Sequence, residues 1–90
     1  MNAMEQMSDF TRSLSQAQIR LIGETLDALQ LEMLGDLCVN ALTYGMFDPA
    51  YHRSFALLLR DDQLDTLRTY LTDSQMRQLV NPAGSLSQAS

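Results

Sequence analysis

The chain has 90 residues and a formal charge of −5, a sequence pI near 4.4, 46% apolar residues and 19% charged ones. That length makes a single domain, and the apolar content excludes a disordered chain. The acidic excess argues against the phosphate-neutralising surface that sequence-independent nucleic-acid binding requires.

Leucine occurs 16 times while valine and isoleucine are scarce, so helix is expected and strand is not. All six basic residues are arginine, a bias expected of a GC-rich coding sequence. The longest uncharged run between two charged residues, from Asp36 to Asp48, is interrupted by Asn40, Thr43 and Gly45. It falls short of the roughly 20 apolar residues a membrane span needs. Glu5 and Asp9 near the start, with no basic cluster, argue against a secretory signal. A lone Cys38 has no internal disulfide partner, which makes a reducing compartment, the cytoplasm, the expected location.

Residues 1–14 read as a short amphipathic segment, with Met4, Met7, Phe10 and Leu14 on one stripe. The segment is expected to fray or to dock on a partner. Ser15-Gln16-Ala17-Gln18 is a capping box that opens a helix. Ile19, Ile22, Leu26, Leu29 and Met33 follow at helical spacing, continued by Leu37, Ala41 and Tyr44, and Gly45 suits the C-terminal cap. Unbroken over residues 16–44, this helix would run about 43 Å, against a diameter of about 31 Å for a compact chain of this length. Its apolar face also rotates around residues 33–35, towards Leu34, Leu37, Cys38, Ala41 and Leu42. Either the helix breaks near Gly35, or it stays whole and a second copy of the chain covers the overhang.

Asp48 and Pro49 start the next helix, with Tyr51, Phe55, Leu58 and Leu59 on one face and Leu57 off it. Asp61-Asp62 restart the chain, and Leu64, Leu67 and Leu71 make a short amphipathic helix. Thr72-Asp73-Ser74-Gln75 is a second capping box, followed by Met76, Leu79 and Val80 and stopped by Asn81-Pro82. The helical domain is thus expected over 15–82, with a disordered tail at 83–90. Gln18-Ile19, Gln63-Leu64 and Gln75-Met76 each precede a further apolar residue three positions on, an echo that reads as a common way to start a helix. The expected fold is all-α: a small bundle of four to five helices built on one long central helix, and a homodimer. Its core should contain Ile19, Ile22, Leu26, Leu29, Met33, Leu37, Ala41, Phe55, Leu58, Leu64, Leu67, Leu71, Met76 and Leu79.

Candidates for chemistry are few. Cys38 and His52 are the only thiol and imidazole, too few for a zinc site. Cys38 is expected to be buried and inert, and His52 to lie at the surface or rim, packing back on Phe47. Asp61-Asp62-Gln63-Leu64-Asp65 resembles the aspartate-rich motif of prenyl-diphosphate synthases, where such carboxylates hold magnesium and diphosphate. The resemblance covers five residues, and the same acids suit a helix start, where they offset the positive dipole. No glycine-rich phosphate loop or nucleophile elbow is present, so neither an enzyme nor a cofactor is expected.

The expected function is protein–protein interaction, as an adaptor, anti-activator or chaperone acting through apolar helix faces. Its partner is another protein, a second copy, or both, and neither a membrane nor a small-molecule substrate. Candidate interface residues are Leu31, Leu34, Leu37, Cys38, Leu42, Tyr44 and Leu57. Tyr51, Arg53, Arg60 and Arg68 are candidates for a basic-aromatic patch, unless the arginines pair with nearby aspartates. Two nucleic-acid alternatives are a helix-turn-helix over 49–71, presenting Gln63, Asp65, Thr66 and Arg68, and an acidic mimic of DNA.

Overall fold

The chain turns wherever a leucine precedes a capping residue. The phrase leucine, cap, two residues, glutamine occurs four times: Leu14-Ser15 to Gln18, Leu26-Asp27 to Gln30, Leu59-Arg60 to Gln63, and Leu71-Thr72 to Gln75. All four leucines are extended, with ψ of 131°, 154°, 130° and 153°. At each cap the glutamine side chain accepts the cap residue's own N–H at 2.9 Å. Ser15, Asp27 and Thr72 complete the box by accepting the glutamine N–H. Arg60 has no oxygen to do so, and Asp61 and Asp62 in the first turn offset the helix dipole there instead.

The computed structural model describes residues 2–80. Among them the regular structure is helical throughout: α1 (Ala3–Ser13), α2 (Gln16–Thr25), α3 (Ala28–Val39), a π-helical turn (Asn40–Tyr44), α4 (Pro49–Leu58), α5 (Asp61–Tyr70) and α6 (Asp73–Val80). The all-α expectation holds. Asp48 caps α4 by accepting the Ala50 N–H, and Gly45 ends the π turn in the left-handed region with φ 61°. The stop at Asn81-Pro82 and the tail at 83–90 lie outside the described residues.

The single long helix over 16–44 does not form, and the described residues make six α-helices rather than four or five. The break falls at Leu26-Asp27, not at Gly35, which sits inside α3. Asp27 and Gln30 close a capping box there, two hydrogen bonds that an unbroken helix would lack. The rotating apolar face follows from this turn, because α2 and α3 point in different directions. The Cα atoms fit within 31 × 29 × 22 Å, so no overhang is left for a second copy to cover.

α1 is no appendage. Met7 and Phe10 are fully buried, and α1 packs on α3, α6 and the π turn. The core also differs from the expected one. Ile19, Leu29 and Leu58 are exposed and Leu64 is half-buried, while Leu34 and Leu59 go inside.

The echo of glutamines is more than helix-start chemistry. Residues 45 positions apart correspond along the chain: Phe10 with Phe55, Leu14 with Leu59, Gln18 with Gln63, Leu26 with Leu71, Gln30 with Gln75, and Leu34 with Leu79. α1–α3 therefore repeat as α4–α6, and the packing follows. α1 on α6 matches α4 on α3, and α2 packs against its own counterpart α5. This reciprocity is that of a two-fold interface, with one chain supplying both halves.

The glutamines join the halves. Gln30 and Gln63 exchange amide hydrogen bonds at 2.9 and 2.8 Å, and Gln18 and Gln75 do so at 2.9 and 3.2 Å. Each amide nitrogen donates a second bond to the last carbonyl of a helix in the other half. Gln30 reaches Leu58 at 2.7 Å, Gln63 reaches Thr25 at 3.1 Å, Gln18 reaches Tyr70 at 3.1 Å, and Gln75 reaches Ser13 at 3.3 Å. Helix ends leave such carbonyls without an intrahelical partner. Counting the cap N–H that each oxygen accepts, every glutamine amide uses both donors and both lone pairs.

Candidate functional site

Internal duplication makes each half a reference for the other. The halves differ where α2 and α3 meet the end of α1. Gly23 and Gly35 stand there, and the second half has Arg68 and Val80 at the corresponding positions. In the first half this region is an open apolar groove of about 330 Å³. Thr11 and Leu14 come from α1 and its end, Ile19, Ile22 and Gly23 from α2, and Leu31, Leu34, Gly35 and Cys38 from α3. In the second half a hollow of about 260 Å³, lined by Arg68, Asp73, Met76, Arg77 and Val80, shares three corresponding positions with the groove, at Arg68, Met76 and Val80.

Neither glycine serves packing. A β-carbon built on Gly23 or Gly35 meets nothing within 4 Å, and neither has a positive φ. Glycine inside a helix costs about 1 kcal/mol against alanine. The groove is thus kept open at two positions where a side chain would fit and would favour the helix.

The groove extends along α3. Leu31, Gly35, Cys38 and Leu42 recur at helical spacing on one stripe. Beyond Cys38, Leu42 borders a second hollow of about 420 Å³ shared with Met4, Glu5, Ser8, Asp9, Arg12, Ala41 and Gly45. The Cys38 thiol is half-buried in the groove wall. Burial pushes its pKa up, with the Thr11 hydroxyl pulling the other way, so it stays protonated and a poor nucleophile near neutral pH.

The predicted interface residues separate. Leu37 is buried and does not line the groove, and Leu34, 6% exposed, reaches only its floor: with the chain turned at Leu26, α3 packs on α1 and α4. Leu31 and Cys38 line the groove, Leu42 borders the separate hollow beside α1, and Tyr44 is exposed. Leu57, on α4, is 86% exposed.

In the proposed basic-aromatic patch, the positive charge is largely met by local acids. Arg60 lies 3.8 Å from Asp27 and 3.4 Å from Asp62, and Arg68 lies 3.3 Å from Asp65. Tyr51 donates its hydroxyl to Asp36 at 3.1 Å, and Arg53 is exposed. Gln63 is buried against Gln30, so it cannot face a DNA groove as the helix-turn-helix reading requires. Among the described residues, no three of His, Cys, Asp or Glu converge as a metal site would need, and no helix is long and apolar enough to cross a membrane.

His52 is not at the rim. It is 1% exposed, edge-on to Phe47 at 5.4 Å and stacked on Phe55 at 6.3 Å. Its Nε2 donates to the Leu79 carbonyl oxygen, and its Nδ1 is buried with no hydrogen-bond partner among the described residues. Burial lowers its pKa, the Leu79 carbonyl partly opposing. It is a neutral core residue whose counterpart in the first half is Met7.

Compared with known proteins, the chain matches no family model, no curated protein and no solved structure. What the site can do rests on its own geometry: it offers aliphatic walls, two bare stretches of helix backbone and no nucleophile poised for chemistry.

Of the candidate interface residues, Leu31, Leu34 and Cys38 fall in the groove lining. Sequence reasoning missed Gly23, Ile22 and Leu14 as groove residues. The signal was present as the 45-residue correspondence, which sets Gly23 against Arg68 and Gly35 against Val80.

Proposed function

We propose that this protein is a small interaction module that holds an apolar segment of a partner protein in the groove between α1, α2 and α3. One observation carries the reading: Gly23 and Gly35 keep an aliphatic surface open where a β-carbon meets nothing and a side chain would favour the helix. Where a site is functional, the recurrent cost of such stabilising substitutions is lost function. The second half has side chains, Arg68 and Val80, at the two corresponding positions. Exposed Ile19, Val39 and Leu42 extend the apolar surface beside the groove. The module acts by occupancy, as an adaptor, anti-activator or chaperone does, and catalyses nothing.

The test is a paired capture from the native cell, using the wild-type chain and the filled variant Gly23→Leu/Gly35→Val as baits. The expected result is at least one protein retained by the wild type and lost by the filled variant, with unchanged helicity by circular dichroism. Equal retention by both baits would refute the reading.

A further inference from the structure

We infer that the surface by which the two halves close on each other also takes the opposite half of a second copy, so that two chains assemble by exchanging halves across a hinge at Gly45 and Met46. This assembly is separate from docking in the groove.

The surface has the form that exchange requires. In a two-fold interface residue i meets residue j of the partner, and j meets i. Gln18 meets Gln75, the counterpart of Gln30, and Gln30 meets Gln63, the counterpart of Gln18. The carbonyls that take their second bonds obey the same rule: Thr25 corresponds to Tyr70, and Ser13 to Leu58. Asp9 with Gln78, Asp36 with Tyr51 and Asp27 with Arg60 add further links between the halves. None of these residues lies in the crossover at 45–48, so each link survives when the opposite half belongs to another chain.

The crossover has no regular structure. Phe47 packs edge-on to His52 of its own half at 5.4 Å, and Asp48 caps α4. The pivot is therefore Gly45 and Met46, both exposed. Their amides bond back to the Asn40 carbonyl, that of Met46 at 3.0 Å, and this folds the chain over with Gly45 at φ 61°. Opening the hinge gives up those two bonds and keeps the links between the halves. A short linker holds its two ends at an effective concentration in the millimolar range, which is what a second copy has to match.

Charge selects opposite halves over like ones. Residues 1–45 hold six acids and two arginines, a net −4, and residues 46–90 hold five acids and four arginines, a net −1. Two first halves would bring −4 against −4, and self-repulsion disfavours that pairing. Arg60, which meets Asp27 across the interface, has Ser15 as its counterpart, so two first halves also lack this ion pair. The groove is lined by residues between Thr11 and Cys38, all in the first half, and the exchanged dimer therefore carries two intact grooves.

The experiment mixes two full-length variants. One carries Phe10→Asp and Leu34→Asp, and the other carries the corresponding pair, Phe55→Asp and Leu79→Asp; all four positions are buried. Each variant alone is expected to be unfolded, because any pairing of its opposite halves includes a spoiled one. In the mixture, the sound first half of one chain meets the sound second half of the other. At about 0.1 mM the lost tether costs about tenfold, against a folding constant of about 10³ or more, so the mixture should regain about half of the wild-type helicity by circular dichroism. No gain over the mean of the separate spectra would overturn the inference. Helicity that either variant gains alone on concentration would assign the surface to like halves and overturn it as well. Gly45→Val tests the hinge. A β-carbon there meets nothing within 4 Å, so the substitution acts through the left-handed φ alone. Exchange relieves that strain at two hinges, at about tenfold each, so the dimerisation constant measured by light scattering should rise about hundredfold over wild type. An unchanged constant would overturn the hinge at Gly45.

Discussion

Replacing Gln30 by leucine tests the interlock between the halves. The side chain is 2% exposed, and its amide makes four hydrogen bonds, two of them to Gln63. Leucine keeps the volume and removes all four. Gln63 then loses one of its two donors' partners and one of its two acceptors' partners, and the Leu58 carbonyl at the end of α4 loses its cap. Each buried group left unsatisfied costs about 1–3 kcal/mol, so Gln30→Leu should destabilise the chain by about 3 kcal/mol. That is a large share of the 5–15 kcal/mol typical of a domain, and it lowers the thermal midpoint by roughly 12–24 °C at this size. The double variant Gln30→Leu/Gln63→Leu removes both halves of the exchange. It should cost about 1–2 kcal/mol less than the sum of the singles, because neither amide is left facing a hydrocarbon. Urea unfolding followed by far-ultraviolet circular dichroism measures all four species. If Gln30→Leu lies within about 0.5 kcal/mol of wild type, or if the two substitutions simply add, the glutamine pair does not hold the halves together.

His52 predicts a pH dependence. Its folded pKa is lowered, so the unfolded chain binds the proton more tightly. Stability is full above the ordinary histidine range near 6.5 and falls as pH drops from there towards the folded value, by at most about 1.4 kcal/mol per pH unit. His52→Met, which copies Met7, should lessen the loss in urea melts between pH 7.5 and 5; parallel curves would refute the buried neutral imidazole. Gly23→Ala and Gly35→Ala should each stabilise by up to about 1 kcal/mol in the same assay, and a loss at either would mean that its glycine serves the fold. Leu37→Asp places a charge at a 2% exposed position and should cost about 4 kcal/mol or more, whereas Leu57→Asp should stay within about 0.5 kcal/mol. Similar effects at the two sites would contradict the burial assigned to them.

The sequence by itself determined what is settled within a turn or two of chain. The capping boxes at Ser15 and Thr72, the aspartate and proline that start α4, and the glycine that ends the π turn all act through hydrogen bonds or dihedral angles between near neighbours. They were legible for that reason, as was the all-helical class. The break at Leu26-Asp27 was written in the same code, but the apolar period runs through it and hid the cap. Once the axis turns there, the phase of the apolar face resets, which is why Leu29 is outside and Leu34 inside. Only the tertiary structure decided what lies between distant segments. It set Gln18 against Gln75 and Gln30 against Gln63, buried α1 and His52, and left an aliphatic groove beside Gly23 and Gly35. A glutamine three residues past a cap looks the same whether its amide ends in water or in the other half. A glycine likewise reads as a weak point in a helix until the space beside it is known.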